Sequence, residues 1–115
     1  MAKLAKYLID DLKGDWSKPS IKFFRSSSSY GYIIWLTIMY NYYKYSPLPI
    51  EVLVDQTEKY ASRRTILEFI NKGVDAGYLE KKNSTDDKRK FFIHPTKITV
   101  QEYNEWSTEF IKNIT

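Results

Sequence analysis

The chain has no cysteine, one histidine, and only four glycines and four prolines in 115 residues. Without thiols there is no disulfide frame and no thiolate metal site. A single imidazole, His94, argues against a histidine-based metal centre or a nucleophile–histidine relay. No glycine-rich phosphate loop, nucleophile elbow or zinc spacing occurs. Asp86 and Asp87 are neighbours in a polar turn, with no further ligand group beside them. They read as turn formers, not as paired carboxylates for acid–base chemistry. The expectation is a protein that is not an enzyme and needs no cofactor or metal.

Long apolar runs are also missing. The start, Met1-Ala2-Lys3-Leu4, lacks the apolar core of a signal peptide. The most apolar stretch, Tyr30 to Tyr45, is broken by Thr37, Asn41 and Lys44. It falls short of the roughly 20 apolar residues of a membrane span. A cytoplasmic protein with no membrane partner is expected.

What is present is ordinary in amount and uneven in placement. The chain is 43% hydrophobic and 28% charged, with a net charge of +4. That suits one soluble domain, residues 1–115, and permits a polyanionic partner without requiring one. The stretch that organises it is Ser62 to Thr96. Ser62 is placed to cap a helix whose apolar stripe is Ile66, Phe69, Ile70 and Val74. Arg63, Arg64, Glu68, Asn71, Lys72 and Asp75 take the other face, and Gly77 supplies the stop. Tyr78 to Lys82 and Phe91 to Ile93 flank a polar turn, which predicts a hairpin. Its charge is concentrated: Lys81, Lys82, Lys88, Arg89 and Lys90 surround Asp86 and Asp87.

A helix opening with two arginines, followed at once by a basic hairpin, has a use. The free N–H groups of a helix start attract phosphate. Arginines there can read guanine edges in the major groove, while a basic loop follows the backbone or enters the minor groove.

In this stretch the chain resembles the MarR-type winged helix-turn-helix regulators. The run D-K-R-K-F-F-I-H-P-T places Arg89 two residues, and Thr96 nine residues, after Asp87, the spacing of that family's wing. Ser62, Thr65 and the run Asp75 to Lys81 resemble its recognition helix and the turn that follows. The likeness covers Leu48 to Thr96, and the strand Phe91-Phe92-Ile93 is more aromatic than is usual there. The resemblance implies a homodimer on double-stranded DNA, with Arg89 entering the minor groove and Asp87 orienting it. The residues expected to contact DNA are Lys59, Ser62, Arg63, Arg64, Thr65, Lys82, Asp87, Lys88, Arg89 and Lys90.

The flanking regions supply the frame. Residues 1–46 hold two helices. One spans residues 3 to 13, with Leu4, Ala5, Leu8, Ile9 and Leu12 on one face and Gly14 as its stop. The other is a central helix over Tyr30 to Tyr45, apolar nearly all round and therefore buried. Between them, Asp15 to Ser29 reads as a connection anchored by Trp16, Phe23 and Phe24, with Pro19 able to begin a short turn. Residues 48–96 form the helix-turn-helix plus wing, its first helix over Ile50 to Asp55. Residues 97–115 form a last helix, with Thr99 and Glu102 as a capping box and Ile98 and Tyr103 as its staple.

The expected fold is thus α+β and mostly helical, a winged helix-turn-helix with N- and C-terminal flanking helices. The expected role is sequence-specific DNA binding by a homodimeric transcriptional regulator, with no residue identifying a small-molecule effector. The rival reading is a winged helix that binds a partner protein through aromatic surface. Positive potential over 62–65 and 88–90 favours the first, and a large exposed aromatic patch favours the second.

Overall fold

The computed structural model describes all residues except 14–16, 27–28, 85, 87–88 and 115. The chain is α+β and mostly helical. In order come α1 (Ala2–Lys13), α2 (Pro19–Ser26), α3 (Ser29–Tyr43), α4 (Ile50–Thr57), α5 (Arg63–Asp75), β1 (Leu79–Asn83), β2 (Phe91–Pro95) and α6 (Lys97–Ile114). Gly14 and Trp16, expected as a helix stop and an apolar anchor, lie outside the described residues.

The central helix is α3. Ile34, Trp35, Ile38 and Met39 are buried, as an almost uniformly apolar helix requires. Trp35 is enclosed by aromatic rings, with Tyr103 and Trp106 of α6 meeting it edge-on at 5.4 and 5.1 Å. Pro19 to Ser26 is a full two-turn helix, longer than the short turn that Pro19 is expected to begin within the connection. Proline suits a first helical position, and Ile21 and Phe24 bury the inward face. The phenylalanines of α2 grip α5: Phe23 stacks on Phe69 at 4.9 Å, and Phe24 meets it edge-on at 5.9 Å. The start of α3 passes close to the end of α2. A Cβ added at Gly31 would stand 2.3 Å from the Phe24 carbonyl oxygen, so only glycine fits.

The helix α5 begins and ends as the sequence indicates. The Oγ of Ser62 accepts from the Thr65 N–H at 3.1 Å. At the other end Gly77 takes φ +86°, while the N–H groups of Tyr78 and Gly77 donate to the carbonyls of Gly73 and Val74. That pair of bonds is the left-handed stop that a glycine permits. The antiparallel hairpin pairs Leu79 with Pro95, Lys81 with Ile93 and Asn83 with Phe91 on one face. Glu80 with His94 and Lys82 with Phe92 take the other. A third segment joins it: Pro49 bridges Phe92, and the Ile93 N–H donates to the Leu48 carbonyl at 3.0 Å.

Two expectations fail at the flanks. The capping box does not form, because α6 starts at Lys97 and Thr99 already lies within it. The Thr99 hydroxyl donates to the Tyr78 carbonyl at 2.7 Å, and the Thr96 hydroxyl donates to the Gly77 carbonyl at 2.7 Å. Glu102 points away from its own helix start. Its Oε1 accepts from the Ser20 N–H at 2.8 Å and the Ser20 hydroxyl at 2.6 Å, so it caps α2 from across the fold. Helix α2 has no acidic residue in its own first turn, and the carboxylate of Glu102 fills that place.

The second failure is the inner face of α1. Leu8, Ile9 and Leu12 are exposed at 39%, 50% and 63%. The helix instead docks by Tyr7, whose ring meets Phe110 edge-on at 5.1 Å, and by Asp11. One Asp11 oxygen accepts from the Arg25 guanidinium at 2.5 Å, and the other from the Trp106 indole N–H at 3.2 Å. Arg25 also lies over the Tyr32 ring at 4.4 Å. A buried ion pair thus fixes the tilt of α1, and the leucine stripe is left outside.

Candidate nucleic-acid interface

The turn between α4 and α5 spans 58–62 and sets the two helices as a pair, with Leu53, Val54, Ile66 and Ile70 buried in the core. This leaves the first turn of α5 at the surface. Ser62 and Thr65 are engaged with each other, hydroxyl to hydroxyl at 2.9 Å, besides the cap bond. Arg64 is 89% exposed and pairs along the helix with Glu68 at 3.0 Å. Arg63 turns back toward α4, where its Nη2 binds Glu51 and its Nη1 lies 3.5 Å from Asp55. Lys59, in the turn, sits over the Tyr60 ring at 5.4 Å.

The hairpin places its basic residues on different sides. Lys90 lies over the Phe92 ring at 5.7 Å. Arg89 and Lys90 border a hollow of about 480 Å³ together with Pro49, Ile50, Glu51, Val52 and Phe91. Glu51 therefore stands between the hairpin cations and Arg63. Lys82 is on the face away from α5 and pairs with Glu80 at 3.5 Å. There it lines a separate hollow of about 630 Å³ with Tyr42, His94, Lys97 and Glu105. Burial pushes the His94 imidazole below its ordinary value; nearby Lys82 adds to the shift and Glu80 opposes it. Asp87 and Lys88 lie outside the described residues.

Of the ten expected contacts, Lys59, Ser62, Arg63, Arg64 and Thr65 share the α4–α5 corner, and Arg89 and Lys90 share the hollow beside it. Lys82 is not brought to that side. Lys81 is, and its ammonium donates to Asn71 of α5 at 2.7 Å. Strand alternation was the available signal: Lys81 pairs with the buried Ile93, so it faces α5.

Sequence reasoning also overlooked the acidic share of the corner. Residues 50–78 carry Lys59, Arg63, Arg64 and Lys72 against Glu51, Asp55, Glu58, Glu68 and Asp75. The paired helices are therefore slightly negative, and the positive charge of the interface comes from the hairpin. Among the described residues no helix is long and apolar enough to cross a membrane, and no group of three acidic, cysteine or histidine residues could hold a metal. Compared with known proteins, the chain matches no family model and no curated protein. The likeness to MarR-type regulators rests on the residues that carry it.

Proposed function

We propose that this chain is a winged helix-turn-helix that binds double-stranded DNA as a homodimer and regulates transcription. The observation that carries the reading is the order of parts around α5. A short bridged segment at Leu48–Pro49 leads into α4, a tight turn, the Ser62-capped α5 and a basic hairpin closed back onto that segment. In such an arrangement α5 enters a major groove and the hairpin an adjacent minor groove. Arg64, Arg89 and Lys90 are exposed cations suited to it, with Lys81 beside α5. The apolar stripe of α1 (Leu8, Ile9 and Leu12) supports a two-fold partner, since an exposed row of this kind is a contact surface. Two α5 helices about one DNA turn apart, roughly 34–36 Å, would favour a palindromic site.

A second reading has its own observation. Tyr40, Tyr43 and Tyr45 are 63%, 42% and 94% exposed, and Tyr40 and Tyr43 line a groove of about 600 Å³ between α3 and α6 with Leu36 and Tyr103. That aromatic strip suits a partner protein, and the slightly negative helix pair is no obstacle to one.

Fluorescence anisotropy with labelled random duplexes, titrated across salt, separates the two. DNA binding predicts a steep negative slope of log affinity against log salt. Arg89→Ala should weaken binding at every salt concentration and make the slope shallower by roughly one phosphate contact. No binding at low salt would transfer the argument to the tyrosine groove.

A further inference from the structure

Most of the charges at the α4–α5 corner, Glu51 excepted, are placed against the interests of their own helices. Arg63 and Arg64 occupy the first turn of α5, where the helix dipole disfavours cations, and that turn has no acidic residue. Asp55 and Glu58 sit at the far end of α4, where the dipole disfavours anions. Helix stability therefore accounts for Glu51, in the first turn of α4, but not for Asp55, Glu58 or the two arginines. What relates them is the contact between them: Glu51 and Asp55 reach Arg63 from α4, one turn apart on the same face.

We infer that Glu51 and Asp55 are positioning residues that hold Arg63 off the DNA backbone, so that the hairpin and Arg64 carry the phosphate contacts. The inference rests on the DNA-binding reading. The guanidinium has five donors in a planar fork; Nη2 is hydrogen-bonded to Glu51, and Nη1 forms a looser ion pair with Asp55 at 3.5 Å. A phosphate reaching Arg63 must either displace these two carboxylates from the Nη groups or settle beside them. The local sum of Arg63 with Glu51 and Asp55 is negative, so a phosphate approaching α4 is repelled. Glu51 also borders the hollow of Arg89 and Lys90, so the same carboxylate limits how closely a phosphate settles between wing and corner. The duplex is thereby directed toward the middle of α5 and the hairpin. Nonspecific attraction stays low, leaving a larger share of the affinity to base contacts.

The test is a cycle of four full-length proteins: wild type, Glu51→Gln/Asp55→Asn, Arg63→Ala and the triple variant. Both carboxylates are well exposed, 69% and 66%, so their neutral replacements preserve the fold, with circular dichroism as the check. Binding to a random duplex is read by anisotropy across salt. The double variant should bind about fivefold tighter at low salt, the scale of an exposed ion-pair network. Its log–log slope should steepen by roughly 0.9, one extra phosphate contact. Arg63→Ala should change little in the wild type yet cancel the steeper slope and much of the gain in the double variant. Unchanged affinity and slope in the double variant would overturn the inference while leaving DNA binding intact. So would an Arg63→Ala loss as large in the wild type as in the double variant. If none of the four proteins binds duplex at low salt, the DNA-binding reading falls, and this inference with it.

Discussion

Replacing Glu102 with alanine tests whether this carboxylate serves α2 or its own helix. Glu102 is 7% exposed and Ser20 is fully buried, so water cannot take over the lost bonds. Hydrogen bonds to a charged acceptor contribute about 1.5–3 kcal/mol each. Here two donors share one oxygen, so their sum falls short of twice that figure. The Ser20 N–H and hydroxyl are also left unmet, and a cost of about 2–4 kcal/mol follows. A chain of this length has about 6–17 kcal/mol of stability in all. The change would lower the melting temperature by roughly 10 °C. Glu102→Gln, which retains an acceptor oxygen, should lose about half as much. Urea denaturation of Glu102→Ala, Ser20→Ala and the double variant provides the check. Ser20→Ala alone should cost about 1 kcal/mol, and almost nothing once Glu102 is gone, a coupling of about 1 kcal/mol. Effects that add within about 0.5 kcal/mol would refute the cross-fold cap, since a carboxylate serving only α6 has no reason to depend on Ser20.

Two further outcomes are expected. Arg25→Ala strands Asp11 without its buried counter-charge and should cost about 3–5 kcal/mol in chemical denaturation, whereas Arg25→Met with Asp11→Leu should recover most of the loss. The depressed His94 means that the unfolded chain takes up the proton first as pH falls through the ordinary value of 6.5. Stability should therefore decline below that pH and be unaffected above it, and His94→Gln should flatten the decline between about pH 7 and pH 5. An unchanged pH profile in that variant would place the sensitivity elsewhere.

The parts legible from sequence are those whose signals are local. The serine cap, apolar stripe and glycine stop of α5 are all written within the sixteen residues from Ser62 to Gly77, and each is found in place. The hairpin is legible because alternation and turn chemistry are local as well. The flanks misled because their deciding partners are distant. The spacing of Thr99 and Glu102 is the same whether the carboxylate turns back along α6 or reaches Ser20, which is 82 residues away. In α1 the leucines outnumber Asp11, yet Arg25 and Trp106 settle which side is inward. Helix α2 is too short for its period to stand out, and it takes Phe69, Tyr78 and Trp35, all distant in sequence or in other elements, to explain why Phe23 and Phe24 lie where they do. At the candidate site the basic residues drew attention, while the acids of α4, equally plain in the sequence, were passed over.

The bridge between Pro49 and Phe92 bears on how copies of this chain can meet. A hairpin with an open margin invites another strand to pair with it. On the β2 side that margin is taken by Leu48 and Pro49, and neither Pro47 nor Pro49 has an N–H to extend the ladder. On the β1 side stand Glu80, Lys81 and Lys82, whose charges resist a neighbouring backbone. The sheet is thus finished at three segments and closed to growth from either side. Two copies that pair are left with helix surfaces, such as the exposed stripe of α1, for their contact.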